Sequence, residues 1–394
     1  MKHTTSPCQL KRRPLGEHAR RSSYYHGMTK SLSPLALAHL ASIAPYVPGK
    51  PAEELERELG IAAAVKLASN ENPIGPSPRA LEAARAVLGQ AHRYTDSDAY
   101  ALRMRLSQRL SVAPEELAFG HGSNELIDLL CRTFAGPEQH AVIGVPSFAC
   151  FRLCLLTARV PVTEVPLDEG LFWNPDRLLD AVQPNTRLLF LDNPNNPTST
   201  HLPRTGLQRL LSGLPAHVIP VIDEAYLQFA DAPDYASALE LRALHPNLVV
   251  LRTFSKAYGL ASLRAGYAVG PAELVSALER VRLPFNLNGL AQAAALAALD
   301  DEEHLLKVVS GNRSERARLG TALTELGFRV APSQGNFLWA ELPSSDARTM
   351  FEALLQKGVI VRPMGGMPRH LRISVGLPEE NDRLTTALRE LLGA

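Results

Sequence analysis

Thr253-Phe254-Ser255-Lys256-Ala257-Tyr258-Gly259-Leu260-Ala261-Ser262-Leu263-Arg264-Ala265-Gly266-Tyr267 follows, after Arg252, an apolar run, Leu248 to Leu251, that reads as a buried strand. A lysine at the mouth of such a strand is poorly solvated. Desolvation and neighbouring cations lower an amine's pKa, so Lys256 has the setting of a nucleophile that forms a Schiff base with an aldehyde. Ser255 offers a hydroxyl and Arg264 a planar fork of donors, and both suit a phosphate. The plainer alternative is that Lys256 snorkels from a loop while Arg264 makes an ordinary ion pair. The rest of the chain has to decide between them.

At 394 residues the chain has room for two or three domains, and 45% hydrophobic with 21% charged residues is the balance of a globular protein. No apolar run approaches the roughly 20 residues that span a bilayer, so no membrane partner is expected. Residues 1–30 hold seven Lys/Arg and one acid, Glu17, which leaves 34 basic against 39 acidic residues, a net of −5, in the remainder. That mildly acidic body gives no footprint for nucleic acid. Cys8, Cys131, Cys150 and Cys154 form no C-x-x-C pair, and the histidines form no H-E-x-x-H, so no metal site is expected and a reducing, cytoplasmic setting fits.

The basic, Ser-rich start lacks the apolar core of a secretory signal. It is read as a disordered tail over 1–40, with a transit-peptide-like composition or a later start at Met28 as alternatives. An arm follows over 41–77, interrupted by prolines but with a helical stretch at Ala52–Leu59. Within it Tyr46 stands between prolines, where an exposed anchor is the ordinary reading.

From Pro78 helical and strand patterns alternate, which implies right-handed crossovers, a mainly parallel sheet, and ligands at the carboxyl ends of strands. The strand Leu117–Phe119 runs into Gly120-His121-Gly122-Ser123-Asn124-Glu125, where Ser123 or Asn124 caps a helix whose N–H groups and dipole would meet an anion. Neither G-x-G-x-x-G nor a P-loop lysine is present, which argues against a dinucleotide or nucleoside triphosphate. Phe148, after the strand Ala141–Val145, is either a core residue or a flat face for a heteroaromatic ring.

Three strand ends then carry polar residues. Leu188–Leu191 leads to Asp192-Asn193-Pro194-Asn195-Asn196-Pro197-Thr198, Val218–Ile222 to Asp223-Glu224-Ala225-Tyr226, and Leu248–Leu251 to the lysine stretch. An acid at the end of a continuous apolar strand is costly unless a cation meets it, and a protonated pyridine nitrogen would be that cation. Tyr226 and Asn196 are suitable donors to a phenolic oxygen on the same ring. A helix cap for Asp223 and a turn for Asn196 are the competing readings. An amine, an acid and a phosphate cradle together point to pyridoxal 5'-phosphate.

These residues, together with Lys66-Leu67-Ala68-Ser69-Asn70-Glu71-Asn72-Pro73, Arg93-Tyr94, Leu263-Arg264-Ala265-Gly266-Tyr267 and Leu371-Arg372-Ile373-Ser374-Val375-Gly376, resemble the fold-type-I pyridoxal-phosphate aminotransferases, and within them the histidinol-phosphate aminotransferase branch. The resemblance runs from about Tyr46 to the C-terminus. It implies an α/β fold like that of aspartate aminotransferase, with a large cofactor-binding domain over 78–282 and a small α+β domain over 283–394. It implies that Lys256 bonds the cofactor and then moves the substrate proton, and that Asp223 pairs with the ring nitrogen. Gly122, Ser123, Asn124, Ser255 and Arg264 would hold the phosphate, Phe148 would stack on the ring, and Asn196 and Tyr226 would address its phenolic oxygen. The tyrosine matching Tyr94 reaches the phosphate of a second subunit in this family, which implies a homodimer with shared sites. Two positions depart from the pattern: Ser199 stands where the family usually has Gly, and Phe148 lacks a tyrosine's hydroxyl.

The C-terminal third reads as helices Leu290–Leu299 and His304–Leu326, then strands Phe328–Val330, Asn336–Glu341, Val359–Arg362 and Leu371–Val375. A guanidinium in the last of these needs an anion. By resemblance Arg372 would meet a carboxylate in glutamate and a phosphate in histidinol phosphate, and Tyr46 resembles the arm tyrosine that contacts substrate; Arg362, at the end of its strand, is a second candidate for substrate, with a surface ion pair as the competing reading. The expected reaction passes an amino group from L-glutamate to imidazole-acetol phosphate or the reverse. The rivals are another aminotransferase, a decarboxylase of the threonine-phosphate type, and, from another class, a cofactor-binding regulator. Residues 1–30 are too short and too broken for the DNA-binding module such a regulator needs.

Overall fold

The computed structural model describes residues 32–45, 49–344 and 346–393. Tyr46 and residues 1–31 of the expected tail therefore lie outside the described residues, while Ala38–Ser42 forms a single 3-10 turn. In the arm, α1 (Ala52–Leu59) starts behind Pro51 with Glu53 and Glu54 in its first turn, where acids suit the helix dipole, and stops at Gly60. The short strand β1 (Val65–Lys66) follows. α2 (Pro78–Leu88) is capped by the Ser77 hydroxyl, and α3 (Tyr100–Leu110) comes next.

β2 (Leu117–His121) leads into α4 (Ser123–Phe134), β3 (His140–Val145) into α5 (Ala149–Thr157), β4 (Val162–Pro166) into α6 (Pro175–Asp180), and β5 (Thr186–Asp192) into α7 (Arg204–Gly213). Then β6 (Ile219–Asp223), β7 (Val249–Thr253) and β8 (Ala265–Val269) precede α8 (Ala272–Glu279) and α9 (Gly289–Leu299). The strands form one seven-stranded sheet in the order β2-β8-β7-β6-β5-β3-β4. All neighbours are parallel except β8, which runs against both β7 and β2.

The central strands are apolar throughout because both faces are covered. Leu188, Phe190, Val221 and Leu251 pack on one side with Leu126, Leu130, Phe151 and Val275. Leu189, Leu191, Ile222 and Val250 pack on the other with Leu178, Leu207, Leu210 and Leu241. α9 packs with α2 residues and the β2–β8 edge, so the large unit continues past the boundary expected at 283.

α10 (Glu302–Glu325) leaves this unit. Its Val308 packs beside Tyr226 and Phe337, while Leu319 and Leu323 belong to a second core. That core is covered by a four-stranded antiparallel sheet made of β9 (Arg329–Val330), β10 (Phe337–Glu341) and, after α11 (Ala347–Gln356) and the two-residue β11 (Val359–Ile360), β12 (Arg362–Met364) and β13 (Met367–Ser374), with α12 (Pro378–Leu392) closing the chain. The run Val359–Arg362, expected as one strand, is divided: β11 pairs in parallel with β1 of the arm, whereas Arg362 belongs to the antiparallel sheet. Backbone bonds from Leu67 to Ile360 and from Ser374 to Leu67, at 2.7 and 2.9 Å, stitch the arm across the small unit. Among the described residues no helix is long and apolar enough to cross a membrane.

Candidate active site

β5, β6 and β7 end side by side, with Asp192 opposite Asp223 and Asp223 opposite Leu251 in register. One cavity opens at these ends, lined by Ser123, Asn124, Phe148, Asn196, Asp223, Tyr226, Ser255, Lys256, Arg264, Arg362 and Arg372 among others. Residues from widely separated stretches of sequence therefore converge.

The anion end is set by two glycines. Gly122 has φ +74°, and a Cβ there would lie 2.5 Å from Arg264 Nη2; a Cβ on Gly266 would lie 2.5 Å from the Ser123 nitrogen. Bare backbone lets β8 and the Arg264 guanidinium close on the start of α4. The N-cap is Gly122, with no side-chain cap, and not Ser123 or Asn124 as expected. The first-turn N–H groups consequently keep their dipole for a ligand. Arg264 Nη1 donates to Ser255 Oγ at 3.3 Å and to the Ala261 carbonyl at 3.1 Å. The result is a hydroxyl, a guanidinium and a helix start around one point. Gly122 supports this cradle from behind without lining the cavity.

At the floor, Asp223 is 3% exposed, and its Oδ1 accepts the Ala225 N–H at 3.0 Å. Burial pushes its carboxyl up to about 7, with Glu224 adding to the rise and the Ala225 bond and Lys256 opposing it. Asp192, also 3% exposed, is pushed up to about 7 by burial against the pull of N–H donors from Asn196 and Asn195. Tyr226 receives a bond from Asn70 Nδ2 at 3.0 Å, and burial holds its hydroxyl up at about 12, so it stays protonated.

Lys256 Nζ donates to the carbonyls of Ser69 and Asn70, each at 3.2 Å, and lies 5.7 Å from the Tyr226 ring centre. Burial first, then the Arg372 and Arg264 guanidiniums, push its amine down to about 8, while Glu71 and Asp223 oppose the fall. The neutral, nucleophilic form is thereby populated near neutral pH.

Across the cavity Arg372 donates to Asn196 Oδ1 at 2.6 Å and to the Ala68 carbonyl at 2.7 Å, with its guanidinium 5.7 Å from the Phe337 ring centre. Arg362 is its register partner on β12. Tyr94 is not in the cavity of its own chain. It is 85% exposed and stacks on Phe285 at 4.6 Å. Asp192, Asn70 and Thr253 line the cavity without having been singled out in sequence.

Residues 62–388 match the family described as Aminotransferase class I and II. The chain belongs to this family. The aminotransferase is 46% identical over 363 residues to the histidinol-phosphate aminotransferase of Anaeromyxobacter sp. (strain Fw109-5), covering 92% of this chain and all of the relative. It is also 46% identical to histidinol-phosphate aminotransferase 2 of Pseudomonas aeruginosa, over 91% of this chain and 98% of that one. A solved histidinol-phosphate aminotransferase from Sinorhizobium meliloti, in complex with pyridoxal-5'-phosphate, superposes with a TM-score of 0.84 at 28% identity over 92% of this chain and 99% of its own. The aminotransferase is a pyridoxal-phosphate enzyme of fold type I. Its cavity fits the group: Asp223 is buried with no guanidinium or ammonium among the described residues bonded to it, an amine is held down in pKa, and an uncapped helix start faces an arginine.

Proposed function

We infer that this aminotransferase exchanges an amino group between L-glutamate and imidazole-acetol phosphate, forming L-histidinol phosphate and 2-oxoglutarate in one direction. The observation that carries the substrate assignment is the Arg362–Arg372 register pair lining the same cavity. A pair of guanidinium forks suits a carboxylate in one half-reaction and a phosphate in the other. The relatives of the same name, at 46% identity over nearly the whole chain, support the choice of substrate.

Bound pyridoxal phosphate supplies an aldehyde carbon and an electron-withdrawing ring that accepts the pair left when the substrate Cα–H bond breaks. Ser255, Arg264 and the first N–H groups of α4 would hold its phosphate, ionised Asp223 would keep the proton on the ring nitrogen, and Phe148 would stack on the ring. Asn196 and Tyr226 would address the phenolic oxygen. Lys256 would hold the group through its amine and, when the substrate amine takes that place, would serve as the base that carries the substrate Cα proton. Arg372 and Arg362 orient the substrate so that this C–H bond faces Nζ.

Tyr94 acts in a second copy of the chain. Its ring, stacked on that of Phe285, is exposed, as are Tyr100, Met104 and Leu283, and exposed apolar side chains of this kind suit a homodimer in which Tyr94 reaches the partner's phosphate cradle. A cytoplasmic setting accompanies this reading.

The test is a pair of half-reactions followed by absorbance. L-Glutamate alone should convert the bound aldehyde to the amine form, and imidazole-acetol phosphate should restore it faster than phenylpyruvate does. Faster restoration by phenylpyruvate, or release of carbon dioxide from an amino acid, would assign the site to one of the rival reactions.

A further inference from the structure

The cavity floor carries two buried carboxyls, and the chemistry above uses only Asp223. Asp192 ends β5 directly beside it. One of its oxygens, Oδ2, accepts the backbone N–H of Asn196 at 2.8 Å and the backbone N–H of Phe148 at 3.1 Å. Those two residues lie on different turns, one after β5 and one after β3. Oδ1 accepts Asn195 Nδ2 at 2.9 Å, and the Asp192 carbonyl accepts Trp173 Nε1 at 3.2 Å. We propose that Asp192 is a positioning residue: a single carboxylate oxygen fastens the turn bearing Phe148 to the turn bearing Asn196, and so fixes the spacing between the ring-stacking face and the phenolic-oxygen donor.

The neighbouring groups leave little choice of residue. Asn195 cannot turn its amide around, because Nδ2 also donates to the Pro146 carbonyl at 3.1 Å while Oδ1 accepts the Thr198 N–H and hydroxyl at 2.9 and 2.6 Å. Position 192 must therefore present acceptors on both of its arms, which a carboxylate does and an amide does not. Alanine would leave the buried N–H of Asn196 and the half-buried N–H of Phe148 without this partner. Asparagine would keep an oxygen for both of them and set its own NH2 against that of Asn195.

This inference rests on the reading that Phe148 and Asn196 face the cofactor ring. The experiment titrates pyridoxal phosphate into cofactor-stripped protein and reads Kd from tryptophan fluorescence and the position of the visible band, for wild type, Asp192→Ala, Asp192→Asn, Phe148→Ala, Asn196→Ala and the Asp192→Ala/Phe148→Ala double variant. Asp192→Ala should raise Kd by about tenfold or more and displace the band. Asp192→Asn should stay within about threefold of wild type with the band moved in the same sense, and so carries the test if the alanine variant does not fold. On the Phe148→Ala background the Asp192→Ala change should add less than about threefold, because its main client is gone. Wild-type Kd and band in Asp192→Ala, equal losses on both backgrounds, or an asparagine variant as weak as the alanine one would overturn the proposal. Silence of Phe148→Ala and Asn196→Ala themselves would instead remove the ring-facing reading on which it stands.

Discussion

At the sheet end of the cavity, Lys256, Ser255 and Arg264 all come from residues 254–264, a turn held between β7 and β8 by the pairing of Thr253 with Gly266. At the far end, Arg372 is held by Asn196, 176 positions away, and by Ala68 of the arm, 304 positions away. The first arrangement is fixed by local strand pairing. The second exists only when the arm and the small sheet have docked. If the locally fixed end binds cofactor and the assembled end binds substrate, as proposed, mutations at the two ends should carry separable signatures.

The largest effect should come from the locally fixed end. Lys256→Ala removes both the nucleophile and the proton carrier, and kcat should fall by about 10⁴-fold or more, with loss of the visible band of the bound cofactor. Asp223→Ala leaves the ring proton without its buried partner, and kcat should fall by about 10²- to 10³-fold, measured in a single-turnover reaction with glutamate. Arg372→Lys keeps the charge but loses the fork. It should raise KM for both glutamate and the phosphorylated substrate by about 10- to 100-fold, leaving the cofactor Kd within about twofold. A cofactor Kd that moved as far as KM would show that the two ends are one unit.

The next effect is a pH dependence. Burial holds the Lys256 amine down at about 8, so the reactive neutral form of the cofactor-free protein is gained as pH rises toward that value. The rate of pyridoxal-phosphate capture, in stopped flow, should climb about tenfold per pH unit below about 8 and level off above it. A climb continuing to the usual lysine range would mean that the amine is solvated. The smallest effect concerns the joint between the two ends. Ser199 sits at φ +62°, and its Oγ bonds Ser333 Oγ at 2.8 Å, beside a Gln334 N–H to Ser199 carbonyl bond of 2.8 Å. Ser199→Gly removes a left-handed strain and a hydroxyl bond of similar size, so stability in denaturant should change by less than about 1 kcal/mol.

Much of the sheet end was legible because a continuous apolar run that stops at a charged residue is physically unusual: Asp223 stands at such a stop, and Lys256 comes shortly after another. Asp192 stands at one too, and the same argument applied to it would have brought it into the cavity. The reversed direction of β8 had a cue as well. Residues 254–264 are too few for the helical crossover that a parallel neighbour would need. Other features had no local signal. Alternation in Val359-Ile360-Val361-Arg362 does not reveal that the run changes sheets, since both sheets bury the same side chains. The Gly122 cap depends on Arg264 arriving from 142 positions further along, and Asn70 finds Tyr226 only after the arm has crossed the molecule. Tyr94 stands exposed on Phe285, away from the cavity of its own chain.

Two cations from opposite walls, Lys256 and Arg372, hold three successive main-chain oxygens, those of Ser69 and Asn70 for the first and Ala68 for the second. The peptide groups of 68–70 thus form a crossbar whose vibrational frequencies depend on which wall is engaged by a small molecule. Carbon-13 placed in those carbonyls would let infrared spectroscopy follow occupancy of each wall separately, in an unmutated protein and without a dye.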